Sequence, residues 1–121
     1  MAPPLGAYSH GIEVAKECRW VFVSGQLGIA PDGALAESAE AQADLAWANV
    51  LRVLAAGGMG VADLVKVTSF VVDRALIPAV RAARLKYMPG PDFPATTFLV
   101  VAGLARPEFL VEIEAVAARA A

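Results

Sequence analysis

Glu112 and Glu114 are the residues with the widest chemical scope. They stand two apart in Phe109–Ala117, a segment whose alternation reads as a strand, so both carboxylates project to one side. If both approached one site, like-charge repulsion and burial would raise at least one pKa and suit it to acid or base work. Tyr8 carries a phenol that can close over a ligand or anchor an intersubunit contact. Arg81 offers a rigid fork of donors for a carboxylate, or half of a surface ion pair. His10 can bind an anion or act as a base, although a lone histidine beside Gly11 is usually an ordinary loop residue. Cys18 is the only cysteine, which excludes an intrachain disulfide. Its charged neighbours Lys16, Glu17 and Arg19 suit an exposed thiol, functional or incidental.

Several chemistries find no support. No HExxH motif, paired cysteines or compact His/Asp/Glu cluster is present, so no metal is expected. Gly57-Gly58-Met59-Gly60 follows a helix rather than a strand and is neither a phosphate loop nor a dinucleotide fingerprint. Ser24 lacks the nucleophile-elbow pattern. The net charge of −2, with lysine and arginine dispersed along the chain, argues against nucleic-acid partners. No apolar run reaches the roughly 18–20 residues that span a membrane. Met1–Pro4 has neither the basic region nor the apolar core of a signal peptide, so the expected compartment is the cytoplasm.

The elements that must position these groups fit a single domain, 1–121. Ile12–Val14 and Trp20–Ser24 read as two short strands, with Gly25 ending the second and Pro31-Asp32-Gly33 as a turn. Gly6–Gly11 reads as an ordered loop or edge strand. Ser38–Ala56 is the clearest helix: Ala43, Ala46, Trp47, Val50, Leu51 and Leu54 share one apolar face. Gln42, Asp44, Asn49 and Arg52 mostly lie elsewhere, Ser38 supplies the cap and Gly57-Gly58 the stop. Val65–Val72 reads as a strand covered on both faces.

A second helix begins near Pro78 and runs to about Met88. On it Val80, Ala83, Arg84, Tyr87 and Met88 share a face, with the Arg84 stem over apolar neighbours and its charge at an edge. Thr96–Ala102 and Phe109–Ala117 complete the order ββαβαββ. The apolar fraction of 58% calls for a well-filled private core, or for an oligomer that buries one sheet face against its neighbours.

Six segments, in order over nearly the whole chain, are similar to those of one family. Gly6-Ala7-Tyr8-Ser9-His10 resembles a G-P-Y-S-Q segment, and Phe22-Val23-Ser24-Gly25-Gln26 resembles F-V-S-G-Q. Gln42 through Asn49-Val50 and Ala55-Ala56-Gly57 resembles a first-helix pattern, and Asp63–Thr68 resembles D-V-V-K-T-T. Phe93-Pro94-Ala95 begins like F-P-A-R-S, and Val111–Ala117 resembles I-E-I-E-A-I-A. The chain thus resembles the RidA/YjgF-like reactive-intermediate deaminases. The resemblance implies a chorismate-mutase-like α/β domain, a mixed sheet with two helices on one face. It further implies a homotrimer with small-molecule clefts between subunits and no cofactor.

Active members of that family hydrolyse enamines and imines derived from amino acids. The resemblance gives Glu112 the role of positioning or activating water, and it makes Tyr8, Ser24, Gly25, Gln26, Arg81, Thr96 and Phe98 cleft residues. Three of these depart from the pattern: Thr96 replaces the carboxylate-binding arginine, Arg81 an asparagine, and Phe98 a cysteine or small residue. A hydroxyl donates one neutral hydrogen bond and cannot fork onto a carboxylate. The expected function is therefore a divergent imine or enamine hydrolase acting on a small metabolite, with Arg81 a candidate replacement clamp. The alternatives are a noncatalytic binding or regulatory trimer, in which Phe98 stacks on a planar ligand, and a pathway-specific enzyme handling an unstable intermediate.

Overall fold

The computed structural model describes residues 1–121. Its elements are β1 (Cys18–Leu27), α1 (Ala39–Ala56), β2 (Leu64–Val71), α2 (Ile77–Tyr87), β3 (Ala95–Val100) and β4 (Val111–Ala120). The strands form one sheet in the order β1-β4-β2-β3. β4 pairs antiparallel with both β1 and β2, and β2 pairs parallel with the edge strand β3. The sheet is mixed because α2 is the crossover that returns the chain parallel to β2.

α1 forms where the apolar period predicts it, and its ends are closed as the sequence suggests. Ser38 Oγ accepts from the Ala41 amide at 3.1 Å. Beyond Ala56, the Gly58 and Met59 amides reach back to the Ala55 and Leu54 carbonyls, a closure that needs the positive φ of +71° at Gly58. Ala43, Ala46, Trp47, Val50 and Leu54 of α1 pack with Val80 and Ala83 of α2 against Val67, Val71, Val111, Ile113, Ala115 and Ala117. Both helices therefore cover the same face of the sheet.

Four expectations need correction. Ile12–Val14 is not a strand: β1 finds its antiparallel partner in β4, so no hairpin forms, and Ile12 is exposed. The order is therefore βαβαββ. Gly25 does not end β1; the strand continues to Leu27 through a register break between Val23 and Gln26. Within the subunit β2 is covered on one face only, since Leu64, Val67, Ser69 and Val71 are buried while Lys66, Thr68 and Phe70 are not. Gln42, expected away from the apolar face of α1, is buried at 2% exposed. Its amide nitrogen donates to the Ala36 and Glu108 carbonyls, and its oxygen accepts from the Leu110 amide. One helical side chain thus ties down the chain on both sides of the sheet's end.

The face away from the helices is open. On it Phe22 is 74% and Trp20 47% exposed, their rings stacked with centroids 6.3 Å apart. Val116, Phe70 and Leu99 continue that apolar surface across the register of β4, β2 and β3. No helix is long and apolar enough to cross a membrane.

Candidate functional site

Four candidate residues from three separate elements meet at the β3 edge. Tyr8, Arg81, Thr96 and Phe98 line one cavity of about 220 Å³, together with Leu5, Gly6 and Arg84. The N-terminal segment is held there by Ser9, whose amide donates to the Pro94 carbonyl at 3.0 Å and whose hydroxyl donates to the Phe93 carbonyl. Ser9 also makes an isolated parallel bridge with Ala95, which fixes the segment as a loop that touches the sheet once. Tyr8 is consequently placed beside β3, with its phenolic oxygen accepting from the Leu5 amide at 3.1 Å. Thr96 and Phe98 stand opposite Val67 and Ser69 of β2, both buried, so they point to the helix side of the sheet.

Arg84 is the residue that the sequence left out of the site. It follows Arg81 by one helical turn, which puts the two on one side of α2. Arg84 is 5% exposed, and its Nε has no hydrogen-bond partner. Burial, and then the charge of Arg81, hold its pKa below the usual guanidinium range. The available signal was the i, i+3 spacing of two arginines on a helix otherwise apolar on that side.

Of the remaining candidates, Ser24, Gly25 and Glu112 lie on the opposite face, whereas Gln26 stands opposite the buried Ile113. Ser24 and Gly25 occupy the register break, where β1 runs two residues, Ser24 and Gly25, past Glu114 of β4. Such a β-bulge bends the strand and re-aims its side chains. Glu112 stands opposite Leu27 of β1 and Phe70 of β2. Its side chain lies against Gly25 so closely that a Cβ there would come within 2.7 Å of the carboxyl carbon. Gln26 turns its amide back to donate to the Ser24 carbonyl at 3.0 Å. Ser24 and Glu114 line a second cavity, of about 330 Å³, with Phe22, Lys66, Thr68 and Val116. Glu112 and Glu114 do share a side, as their spacing predicts.

A third cavity, of about 500 Å³, contains none of the predicted residues. Tyr87–Pro94 and Val61–Leu64 form most of its wall. His10 Nε2 donates to the Ala2 carbonyl at 2.8 Å, and Cys18 begins the edge strand β1.

Comparison with known proteins agrees with this architecture over its full length. The family model described as endoribonuclease L-PSP matches residues 1–119. The 2-iminobutanoate/2-iminopropanoate deaminase of Salmonella typhimurium is 35% identical over 118 residues, 95% of this chain and 89% of that protein. The chain belongs to the RidA/YjgF family. Among solved structures, RidA from an Antarctic Psychrobacter superposes with a TM-score of 0.76 at 29% identity, covering 96% of this chain and 92% of that one. E. coli TdcF with bound serine gives a TM-score of 0.79 at 27% identity, covering 98% and 92%. The RidA/YjgF fold expected from the six sequence segments is therefore the fold of this chain, and imine and enamine deamination is the family-level activity.

Proposed function

We propose that this RidA/YjgF member is a divergent hydrolase of small imines or enamines, working in a cleft between subunits of a homotrimer. One observation carries the proposal. Tyr8, Arg81, Thr96 and Phe98 converge on one cavity at the β3 edge, while Ser24, Gly25 and Glu112 lie on the opposite face of the same sheet. A single subunit cannot present both groups to one small molecule. Seating the open face of one subunit on the β3 edge of the next would unite them and would bury Trp20 and Phe22 as well.

In that cleft Arg81 takes the anionic group of the substrate. Glu112 of the neighbouring copy accepts a proton from water as its oxygen bonds to the carbon of the C=N group. The resulting carbinolamine carries hydroxyl and amine on one carbon. Proton transfer to nitrogen then breaks the C–N bond, releasing ammonia and leaving a carbonyl. Every atom comes from substrate and water, and the redox state does not change.

Thr96 cannot supply the charged fork of an arginine. Simple 2-imino monocarboxylates should therefore be hydrolysed weakly when an amino-acid oxidase generates them in a coupled assay. On the true substrate, Arg81→Met should chiefly raise KM, because it removes charge while keeping much of the apolar stem. Glu112→Gln should lower kcat by about 10²–10⁴-fold, the usual contribution of a positioned base. If both variants remain folded trimers with wild-type KM and kcat, this assignment is wrong.

A further inference from the structure

We infer that Arg81 and Arg84 together form a binding site for a small dicarboxylate, with one guanidinium fork for each carboxylate. This inference deepens the reading of Arg81 given above and rests on it for the location of the cleft. Three observations support it. Arg84 is 5% exposed, lines the cavity and has an Nε without a partner. No aspartate or glutamate lines that cavity. The one ion pair of the subunit, Lys86–Asp44, lies elsewhere and leaves both arginines without a carboxylate.

A buried, unpaired cation beside a second cation is unfavourable, through desolvation and through repulsion. Both costs fall when an anion enters between them. Within the subunit no acidic side chain lines the cavity beside these two positive charges, so each guanidinium is free to take a carboxylate of the ligand. The arginines stand one helical turn apart on one side of α2, and each guanidinium fork matches the two oxygens of a carboxylate. Leu5 and Phe98 provide apolar wall, which suits the carbon chain between two carboxylates and offers nothing to inorganic phosphate. The Thr96 hydroxyl, bonded only at 3.4 Å to the Pro94 carbonyl, can turn to donate to a bound carboxylate. The family arginine absent at Thr96 is thus replaced by two arginines from α2, and the preferred substrate shifts from a monocarboxylate imine to one carrying a second carboxylate.

The test is calorimetric titration of the assembled wild-type protein with malonate, acetate and inorganic phosphate at one ionic strength. Malonate should bind about tenfold or more tightly than either of the others, as expected for one additional charged hydrogen-bonding fork. Arg84→Gln should weaken malonate by about tenfold while leaving acetate little changed. Acetate binding as tightly as malonate, phosphate binding more tightly, or no heat with any of the three overturns the inference. If Arg84→Gln does not fold, Arg81→Gln at an exposed position carries the same comparison, and undiminished malonate binding refutes the paired site. These readouts do not involve turnover. Selective malonate binding with unaltered kinetics in the Glu112 variant would remove the hydrolase and keep the anion site; the converse result would do the opposite.

Discussion

Phe22 gives the most direct access to the proposed assembly. Its ring is 74% exposed on the open face of the sheet and stacks on Trp20 at an interplanar angle of 24°. Full burial of a phenylalanine side chain stabilises by about 1.5–3 kcal/mol, so covering this remaining surface contributes about 1–2 kcal/mol per subunit. Over the copies of a trimer that amounts to about 3–6 kcal/mol, or about 10²–10⁴-fold in the association constant. Phe22→Ala should therefore move the monomer–trimer equilibrium toward monomer by that factor. The subunit itself should hardly be affected, because the ring is outside the buried core. Sedimentation equilibrium at several concentrations measures the shift, and a thermal melt of the monomeric fraction checks the fold. Wild-type protein that stays monomeric throughout, or a Phe22→Ala trimer as tight as wild type, would refute the placement of this face at an interface.

Two other substitutions probe the sheet end and the bulge. Gln42→Leu would orphan the Ala36 and Glu108 carbonyls and the Leu110 amide, each at about 1–3 kcal/mol, partly offset by the apolar replacement. A net loss of about 2–5 kcal/mol is expected in urea unfolding, and a change below about 1 kcal/mol would mean that these bonds are readily replaced by water. Gly25→Ala would drive a Cβ against the Glu112 carboxyl group, whose flexible end can move aside without unfolding the chain. The expected result is a kcat lowered by about 10–10²-fold at unchanged melting temperature, since a displacement of about 1 Å can cost that much. Unchanged kcat would separate Glu112 from the chemistry.

Most of the fold was legible because its signals are local. The period of α1, the Ser38 cap, the Gly57-Gly58 stop and the alternation of Val111–Ala117 each depend on neighbours in sequence, and each appears in the structure. What was not legible depends on distant partners. Ile12–Val14 has the composition of a strand but no strand beside it, because β1 is taken by β4 from the far end of the chain. Gln42 has the chemistry of a surface residue, yet three backbone groups from two loops converge on it. Gly25 reads as a terminator, whereas here it is the small residue that lets a bulge pass over Glu112.

The site divides along the same line. Resemblance to family segments picked out Tyr8, Arg81, Thr96 and Phe98, and they share a cavity although the first and last are 90 residues apart. Arg84 escaped because a motif comparison asks only about positions already known to matter. Its significance comes from burial without a partner, a property that composition and spacing cannot express. That property also bears on the three departures at Arg81, Thr96 and Phe98. Taken singly, each removes something from the usual site: a charged fork, an amide, a small side chain. Taken with Arg84, on the reading proposed above, they exchange one arginine on β3 for two on α2 and fill the remaining space with an aromatic ring. A buried arginine whose Nε has no partner carries an energetic cost. The cost is understandable if a doubly charged ligand offsets it, and this is why selectivity between malonate and acetate decides more about this protein than turnover of any one imine.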